Sequence, residues 1–195
     1  MGSSSCKLRG GIQPISNNAR SKNIEIFSIA ITLVAIAINI LILTTILIPM
    51  ITGAPFVPID TTALKRMIAL LQIQLGEKAA DLGSGDGRIV IELARAGAKA
   101  HGYEINPLLV LTSQKNIKNA GVVDQTSIHW KSFWGQDLSS FQVITLFGMP
   151  HMMKRLAQKL RKELKPGARV ISHQFMFPDW PVAQQESQLY LYRIS

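Results

Sequence analysis

The chain has 195 residues, of which 47% are hydrophobic and 17% charged, and it carries a net charge of +9 at pH 7. This length fits one ordinary domain with an appendage and excludes a two-domain dehydrogenase or a synthetase. The hydrophobic fraction excludes an intrinsically disordered chain, and a single cysteine, Cys6, excludes a disulfide framework and a cysteine-based zinc site. The mean hydropathy of +0.20 is high for a soluble chain with 21 Lys and Arg residues, so the apolar residues must be concentrated in one segment.

That segment is 26–48, a run of 23 residues without a charge, in which Asn39 is the only strongly polar side chain. A helix needs about 20 such residues to cross the hydrocarbon core of a bilayer. A buried core helix would show a polar face, and a signal peptide would have a shorter apolar region. The run therefore predicts an uncleaved transmembrane helix that ends at Pro49. The predicted organisation is a basic tail over 1–25, the membrane helix over 26–48, a linker or lid over 49–60 and a folded domain over 61–195.

From residue 61 onward, short apolar runs alternate with longer amphipathic ones. Glycines at 97 and 121 follow two of the amphipathic runs, and Asn106-Pro107 is a typical helix start. The pattern predicts helices over 61–75, 88–95, 107–119 and 151–164, and strands over 78–82, 98–105, 127–133, 142–147, 168–175 and 187–193. Strands that alternate with helices form a parallel sheet, so we expect an α/β, Rossmann-like fold with helices on both faces of the sheet.

A glycine-rich loop joins the first predicted strand to the following helix, and its sequence over 81–88 is Asp-Leu-Gly-Ser-Gly-Asp-Gly-Arg. Glycines allow a sharp turn and a close backbone approach to a ligand, and the start of a helix offers N–H groups to an anion. Arg88 stands where the dinucleotide-binding fingerprint has its third glycine. Glu104 ends the second strand, 21 residues after Gly83, where a carboxylate can accept both hydroxyls of a ribose. Glycines also serve plain tight turns, and a NAD enzyme would need a substrate domain for which no chain remains.

The loop resembles motif I of class I S-adenosylmethionine-dependent methyltransferases. The resemblance covers about 54–182 and includes Ala-Pro-Phe-Val-Pro at 54–58, Gly-Tyr-Glu-Ile-Asn-Pro at 102–107, Phe-Gly-Met-Pro-His-Met-Met at 147–153 and Phe-Met-Phe-Pro-Asp-Trp at 175–180. These stretches are similar to the membrane-anchored lysine methyltransferases that modify the mitochondrial adenine nucleotide translocase and the ATP synthase c subunit. The resemblance implies a class I methyltransferase sheet and the cofactor S-adenosyl-L-methionine.

The resemblance also implies roles for individual residues. The loop backbone would cradle the methionine portion of the cofactor, Asp81 would hold its amino group, and Glu104 would bind its ribose. The cofactor-binding residues that it implies are Asp81, Gly83, Ser84, Gly85, Asp86, Gly87, Glu104, Asn106, Ser132 and Phe133. The chain departs from the family at Ser132, where an acidic residue usually follows strand three. Because only 20 residues follow Phe175, we also expect the antiparallel seventh strand to be absent or reduced.

Methyl transfer from a sulfonium is an in-line displacement, and an acceptor lysine must arrive uncharged. We expect an apolar channel that lowers the lysine pKa, with backbone carbonyls that fix the amine. The candidates for this acceptor loop, which could also simply start the next helix, are Gly148, Met149, Pro150 and His151. The candidates for a lid and for the edge of the entrance are Phe56, Pro58, Asp179 and Trp180, although the first two could merely join the anchor to the domain. The four histidines share no ligand spacing, so no metal is expected.

The leading hypothesis is a membrane-anchored protein-lysine N-methyltransferase. Its expected partners are the lipid bilayer, through 26–48, and a membrane protein with a lysine near a helix end. The alternatives are a methyltransferase for a lipid or small quinone-like molecule, an RNA methyltransferase, which the pI of about 9.9 suggests, and a non-enzymatic assembly factor. A membrane tether restricts access to RNA and no basic-aromatic interleaving is present, so a nucleic-acid partner is disfavoured. The intact glycine loop with Glu104 disfavours the assembly factor.

Charge and chemistry disagree about orientation in the membrane. Residues 1–25 carry four basic side chains against Glu25, and the first basic residue after the span is Lys65. The positive-inside rule therefore predicts a cytoplasmic N-terminus. S-adenosylmethionine is a cytosolic metabolite, however, so we expect the catalytic domain on the cytoplasmic (or matrix-equivalent) side, with a folded domain that outweighs a modest charge bias.

Overall fold

The computed structural model describes residues 17–52 and 58–195, which divide into two units after Thr44. The described residues of the first unit belong to one long helix, α1 (Asn17–Thr52). The side chains of 22–44 are exposed, and this stretch of 23 residues is long and apolar enough to cross a membrane. The prediction of a long apolar helix is confirmed.

The end of α1 differs from the prediction. The helix does not stop at Pro49 but continues to Thr52. Pro49 lies in the last turn, where its missing N–H removes only one backbone hydrogen bond. Within the apolar stretch, Asn39 Nδ2 donates to the carbonyl of Ala35 at 2.8 Å, so this polar side chain is satisfied inside the helix and does not interrupt it.

The second unit alternates strands and helices. Its helices are α2 (Thr61–Leu71), α3 (Arg88–Arg95), α4 (Pro107–Ala120) and α5 (Pro150–Glu163). Its strands are β1 (Lys78–Leu82), β2 (Lys99–Glu104), β3 (Thr126–Trp130), β4 (Val143–Phe147), β5 (Arg169–His173), β6 (Gln184–Glu186) and β7 (Leu189–Arg193). Helix α2 ends before the predicted residue 75 because Gln72 takes a left-handed conformation and its N–H bonds the carbonyl of Ala69.

The strands form one sheet in the order β3-β2-β1-β4-β5-β7-β6. Strands β1 to β5 are parallel, and β7 runs antiparallel to both of its neighbours. Strand β1 pairs with β2 on one side and with β4 on the other, so the order of the chain across the sheet reverses beside β1. In open α/β sheets, the crevice at the carboxyl ends of such strands is the usual ligand site.

The expectation of an absent or reduced seventh strand is wrong. The last residues of the chain form a hairpin of β6 and β7, whose turn contains Ser187 with a left-handed φ of 54°. Strand β7 inserts between β5 and β6 and pairs with β5 over five residue pairs. The side chains of Leu189, Leu191 and Tyr192 are buried, so apolar burial holds this short strand in the sheet.

Two hydrophobic clusters contain the buried apolar residues of the second unit. One includes Met153, Leu156 and Leu160 of α5, and the other includes Met67 and Leu71 of α2 with residues of α3. Each fully buried side chain of this kind contributes about 1.5–3 kcal/mol of transfer free energy. This packing holds the carboxyl ends of β1, β2, β4 and β5 in register, and the site lies there.

Candidate active site

One cavity lies at the carboxyl ends of the central strands. One part of it, the loop half, is lined by residues of the glycine-rich loop and of the segments after β2 and β3. The other part, the apolar half, is lined by Pro58, Ile59, Leu146, Phe147, Met152 and His173. The residues that line the loop half are Asp81, Leu82, Gly83, Ser84, Gly85, Asp86, Arg88, Ile89, Tyr103, Glu104, Ile105, Asn106, Leu109, Lys131, Ser132 and Phe133.

Glycine is required at several points of the loop. Gly83, Gly85 and Gly87 have positive φ angles of 89°, 52° and 82°, a region that side-chain-bearing residues rarely adopt. The N–H groups of Gly83 and Ser84 both donate to the carbonyl of Tyr103, at 2.9 and 3.0 Å, which holds the loop against β2. A Cβ at Gly87 would also lie 2.6 Å from Ser113 Oγ. The loop backbone is thus fixed in a turn that exposes it to the cavity.

Glu104 is buried and organises the turn around itself. Its Oε2 accepts a hydrogen bond from Gly85 N at 3.0 Å, and its Oε1 accepts from the N–H groups of Ile105 and Asn106, both at 2.8 Å. A carboxylate has about four acceptor sites, and these three N–H groups fill three of them, so Oε2 can accept one further hydrogen bond. The arrangement suits a ligand that presents a hydroxyl group to Oε2.

Asp81 is the most deeply buried carboxyl group of the cavity. Thr145 Oγ1 donates to its Oδ1 at 2.7 Å. Burial raises the pKa of Asp81 to about 7, and the charges of Glu104 and Asp86 act in the same direction, while the Thr145 hydrogen bond opposes them. A cationic group beside Asp81 would stabilise its carboxylate, so this position suits an amino group.

Arg88 is the residue that replaces the third glycine of the dinucleotide fingerprint. Its Nε and Nη2 donate to the carboxylate of Asp86, at 2.7–3.1 Å, and its Nη1 donates to the carbonyl of Ile59 at 3.0 Å. Asn116 Nδ2 donates to the Asp86 carbonyl at 2.9 Å. Arg88 thus ties the loop to the segment before α2, which explains the arginine at this position.

The far end of the loop half is closed by the segment after β3. Asn106 caps α4, with Oδ1 accepting from Leu108 N at 3.0 Å, and Ser132 Oγ accepts from Trp134 N at 3.4 Å at the start of a short 3-10 helix, Phe133–Gly135. Strand β3 therefore ends earlier than the predicted residue 133. The buried Phe133 ring and Ser132 both line the cavity, so all ten cofactor candidates except Gly87 line it, and Gly87 lies directly beside it.

The candidate acceptor loop does not line this cavity. Residues 148–151 are not among its lining residues, although Phe147 and Met152 on either side are. Gly148 is buried, where a Cβ would lie 2.4 Å from Met153 Sδ, and Met149 and Pro150 start α5. His151 is exposed. Close packing against α5 thus accounts for this glycine.

The other entrance candidates are placed apart. Pro58 lines the cavity, whereas Phe56 lies outside the described residues. Trp180 is buried against Phe177 and Tyr192, and the Arg161 guanidinium lies 5.0 Å from its ring centroid. Asp179 is exposed and has a left-handed φ of 55°. Neither Asp179 nor Trp180 is among the lining residues.

Several lining residues, among them Tyr103, Lys131 and His173, were not sequence candidates, and neither were two residues that support the site from behind, Thr145 and Gly102. Thr145 is the only polar residue in the apolar strand β4, a signal that could have marked it. Gly102 lies in β2, where a Cβ would be 2.6 Å from both Ser84 Oγ and Ile128 Cδ1. The hydroxyl of Ser84 is buried without a hydrogen-bond partner among the described residues. Within the same residues, no group of three His, Cys, Asp or Glu side chains could hold a metal ion.

Comparison with known proteins identifies the family. The profile of the ANTKMT methyltransferase domain matches residues 81–184. A relative from Xenopus laevis, named as a lysine N-methyltransferase of the ATP synthase c subunit, is 41% identical over 126 residues, which are 65% of this chain and 55% of that protein. A relative from Saccharolobus islandicus, named protein-lysine N-methyltransferase, is 38% identical over 128 residues, which are 65% of this chain and 80% of that protein. The chain thus spans about half the length of the Xenopus protein.

A solved structure supports the same assignment and the cofactor. A crystal structure described as an RNA methyltransferase from Salinibacter ruber in complex with S-adenosyl-L-homocysteine has 36% sequence identity and a TM-score of 0.66. The match covers 71% of this chain and 92% of that chain. The predicted class I methyltransferase fold and family resemblance are confirmed, and the chain belongs to the ANTKMT methyltransferase domain family, whose cofactor is S-adenosyl-L-methionine.

Proposed function

We propose that the protein is a membrane-anchored protein-lysine N-methyltransferase that acts on a lysine close to the membrane surface. The observation that carries this proposal is the cavity, which is lined both by the glycine-rich loop with Glu104 and by apolar residues at the ends of β4 and β5. The names of the Xenopus and Saccharolobus relatives, both lysine N-methyltransferases, support it.

The residues of the loop half fit S-adenosyl-L-methionine. Glu104 has one acceptor site left, on Oε2, for a ribose hydroxyl, and Asp81 offers a carboxylate to the amino group. The unpartnered Ser84 hydroxyl is a further donor in the cradle. When bound, the cofactor supplies an electrophilic methyl carbon.

The apolar half fits an uncharged amine. At pH 7 a free lysine, with a pKa near 10.4, is neutral in only about one molecule in two thousand. Walls such as Phe147, Met152 and Ile59 withdraw the ammonium from water and so favour its neutral form. They also keep water from the reacting methyl group and align the amine for in-line attack.

The apolar stretch of α1 supports a membrane anchor, with 26–48 in contact with lipid. The proposed arrangement keeps the division into a basic tail (1–25), anchor (26–48), linker or lid (49–60) and methyltransferase domain (61–195). It places the domain on the cytoplasmic or matrix-equivalent side, where the cofactor is made. A protease-protection assay on sealed vesicles tests this orientation, and a domain found on the opposite face would contradict the proposed function.

An RNA acceptor is the second candidate, because the Salinibacter structure is described as an RNA methyltransferase. The net charge of +9 is compatible with it. A lipid is the third candidate acceptor, since the anchor would also bring the site close to lipids.

The experiment that separates these candidates starts from membranes of a deletion strain. Purified full-length protein and labelled S-adenosylmethionine are added, and the label is followed into protein, lipid and RNA. We expect label in membrane protein, and mass spectrometry should place it on a lysine near a helix end, as in an ATP synthase c subunit or a carrier. The Glu104→Ala variant is the negative control, and label in RNA or lipid alone would contradict the lysine assignment.

The anchor is tested by deleting residues 1–48. We expect the truncated protein to bind S-adenosyl-L-homocysteine with unchanged affinity but to methylate the membrane target at least tenfold more slowly. Equal rates for the truncated and full-length proteins would contradict the role of the anchor.

A further inference from the structure

His173 is the one titratable side chain among the residues that line the apolar half. It ends β5, in register with Phe147 of β4, and its ring centroid lies 5.8 Å from that of Phe147. The ring is half-buried, and no hydrogen bond joins its nitrogens to any described residue. Among these residues, no partner competes with a cavity ligand for the nitrogens.

A second, polar cavity also includes His173 among its lining residues. Its walls include Asp60, Thr62, Arg66, Ser187 and Gln188, all exposed, together with His173 itself. His173 thus lines both the cavity where an acceptor amine would react and a cavity with exposed polar walls. A route from the main cavity to solvent through this residue is therefore consistent with the lining of both cavities.

We propose that His173 accepts the proton of the acceptor lysine ammonium and releases it to solvent through the polar cavity. This inference rests on the proposed lysine methyltransferase function. The proton passes from lysine Nζ to an imidazole nitrogen, and the freed lone pair forms the N–C bond as the methyl–sulfur bond breaks. The products are a methylammonium, a neutral sulfide and the proton on His173, so charge and atoms balance.

The surroundings suit a neutral imidazole that can become charged. Burial lowers the pKa of His173, so at pH 7 the ring is free to accept a proton, while the charge of Asp60 acts in the opposite direction and stabilises the imidazolium. Asp60 itself caps α2, accepting from the N–H groups of Ala63 and Thr62, and its pKa is lowered. Arg66 lines the polar cavity and pairs with Glu186. The charged residues that line the main cavity are Asp81, Asp86, Arg88, Glu104 and Lys131, and β7 contributes no titratable wall residue to either cavity.

The test compares pH profiles of full-length variants at saturating S-adenosylmethionine, with deletion-strain membranes as acceptor. In the wild type, kcat/KM should rise with pH and level off above the pKa of His173. In His173→Gln, it should be about a hundredfold lower at pH 7 and rise about tenfold per pH unit without levelling up to pH 9, because the lysine must then lose its proton to water. Calorimetric affinity for S-adenosyl-L-homocysteine should stay within twofold, which shows that the variant is folded.

The matched control is His129→Gln. His129 is also half-buried with a lowered pKa, but it lies in β3, pairs with His101 at 3.2 Å and lines neither cavity. Its variant should keep the wild-type pH profile. Asp60→Asn is the second test, because asparagine still caps a helix but carries no charge. It should move the levelling point to lower pH, because the charge of Asp60 raises the pKa of His173.

A readout besides activity is the titration of the four histidines by NMR, in 13C-histidine-labelled full-length protein in micelles. The resonance missing in His173→Gln identifies His173, and its pKa should match the kinetic levelling point and fall in Asp60→Asn. An unchanged pH profile in His173→Gln, with label still entering protein, would overturn the role of His173 alone. Absence of protein label with the wild type would overturn the lysine assignment and this inference with it.

Discussion

The loop half of the cavity is built from backbone groups and fixed carboxylates, whereas the apolar half is built from side chains of four separate elements. In the loop half, Glu104 and three backbone N–H groups hold one another, and positive φ angles at glycines set the turn. In the apolar half, Phe147, Met152 and His173 come from β4, α5 and β5. A rigid polar half suits one invariant ligand, and an apolar half suits the specific acceptor.

The largest effect is expected in the loop half, from Glu104→Ala. The variant loses the acceptor for the ribose and releases the N–H groups of Gly85, Ile105 and Asn106. Hydrogen bonds to a charged group contribute about 1.5–3 kcal/mol each, so affinity for S-adenosyl-L-homocysteine should fall about a hundredfold. Calorimetry measures this, with Glu104→Gln as an intermediate control. Unchanged affinity in a folded Glu104→Ala variant would contradict the assignment of cofactor binding to the loop half.

The second prediction concerns Asp81 and pH. Because the pKa of Asp81 is raised to about 7, its carboxyl must lose a proton to pair with the cofactor amino group. Affinity for S-adenosyl-L-homocysteine should therefore fall about tenfold per pH unit below pH 7. Calorimetry between pH 5.5 and pH 8 checks this, and Asp81→Asn should bind weakly with little pH dependence.

The Asp81 carboxyl also affects the stability of the ligand-free protein. Low pH favours this stability, whereas it weakens cofactor binding. Its folded pKa lies above the value of 3.8 expected when unfolded, so the folded state binds more protons between pH 3.8 and about pH 7. The contribution to the free energy of unfolding is therefore present at low pH and is lost as pH rises through this window. Asp81→Asn should raise the melting temperature at pH 8 but not at pH 4. A variant that melts lower than the wild type at pH 8 would contradict the burial argument.

In the apolar half, Phe147→Ala should affect catalysis and spare the cofactor. Loss of the aromatic wall admits water around the amine, so we expect kcat/KM for the membrane acceptor to fall about tenfold. Affinity for S-adenosyl-L-homocysteine should remain within twofold. The exposed Leu111 of α4 lines neither cavity, and Leu111→Ala serves as the control. Equal losses in cofactor affinity and kcat/KM would mean that the apolar half also contributes to cofactor binding.

The smallest effect is expected at His151, which is exposed and outside the cavity. His151→Ala should change both kcat/KM and cofactor affinity by less than twofold. A tenfold loss of kcat/KM at constant cofactor affinity would instead support the acceptor-loop role inferred from its place after strand four.

The contrast between the halves also explains what could be predicted. The loop half is encoded within short stretches: the glycines at 83, 85 and 87 follow β1, and the acid at 104 ends β2, the two strands of one βαβ unit. The apolar half has no such signature, because Ile59, Phe147 and His173 are separated by tens of residues. The position after β4 predicts an acceptor loop at 148–151. In the structure, the glycine at 148 is required by packing, because a Cβ there would collide with Met153.

The amino-acid sequence by itself determined the apolar helix, the βα alternation and the cofactor loop, because each depends on interactions within a few residues or within one βαβ unit. The tertiary structure decided where distant groups meet: the Thr145 hydroxyl on Asp81, 64 residues away, the Arg88 guanidinium on the carbonyl of Ile59, and β7 between β5 and β6. It also placed Trp180 in the core and His173 in the lining of two cavities. Such contacts depend on how the faces of the sheet are covered, and burial on those faces has no local pattern from which a partner can be identified.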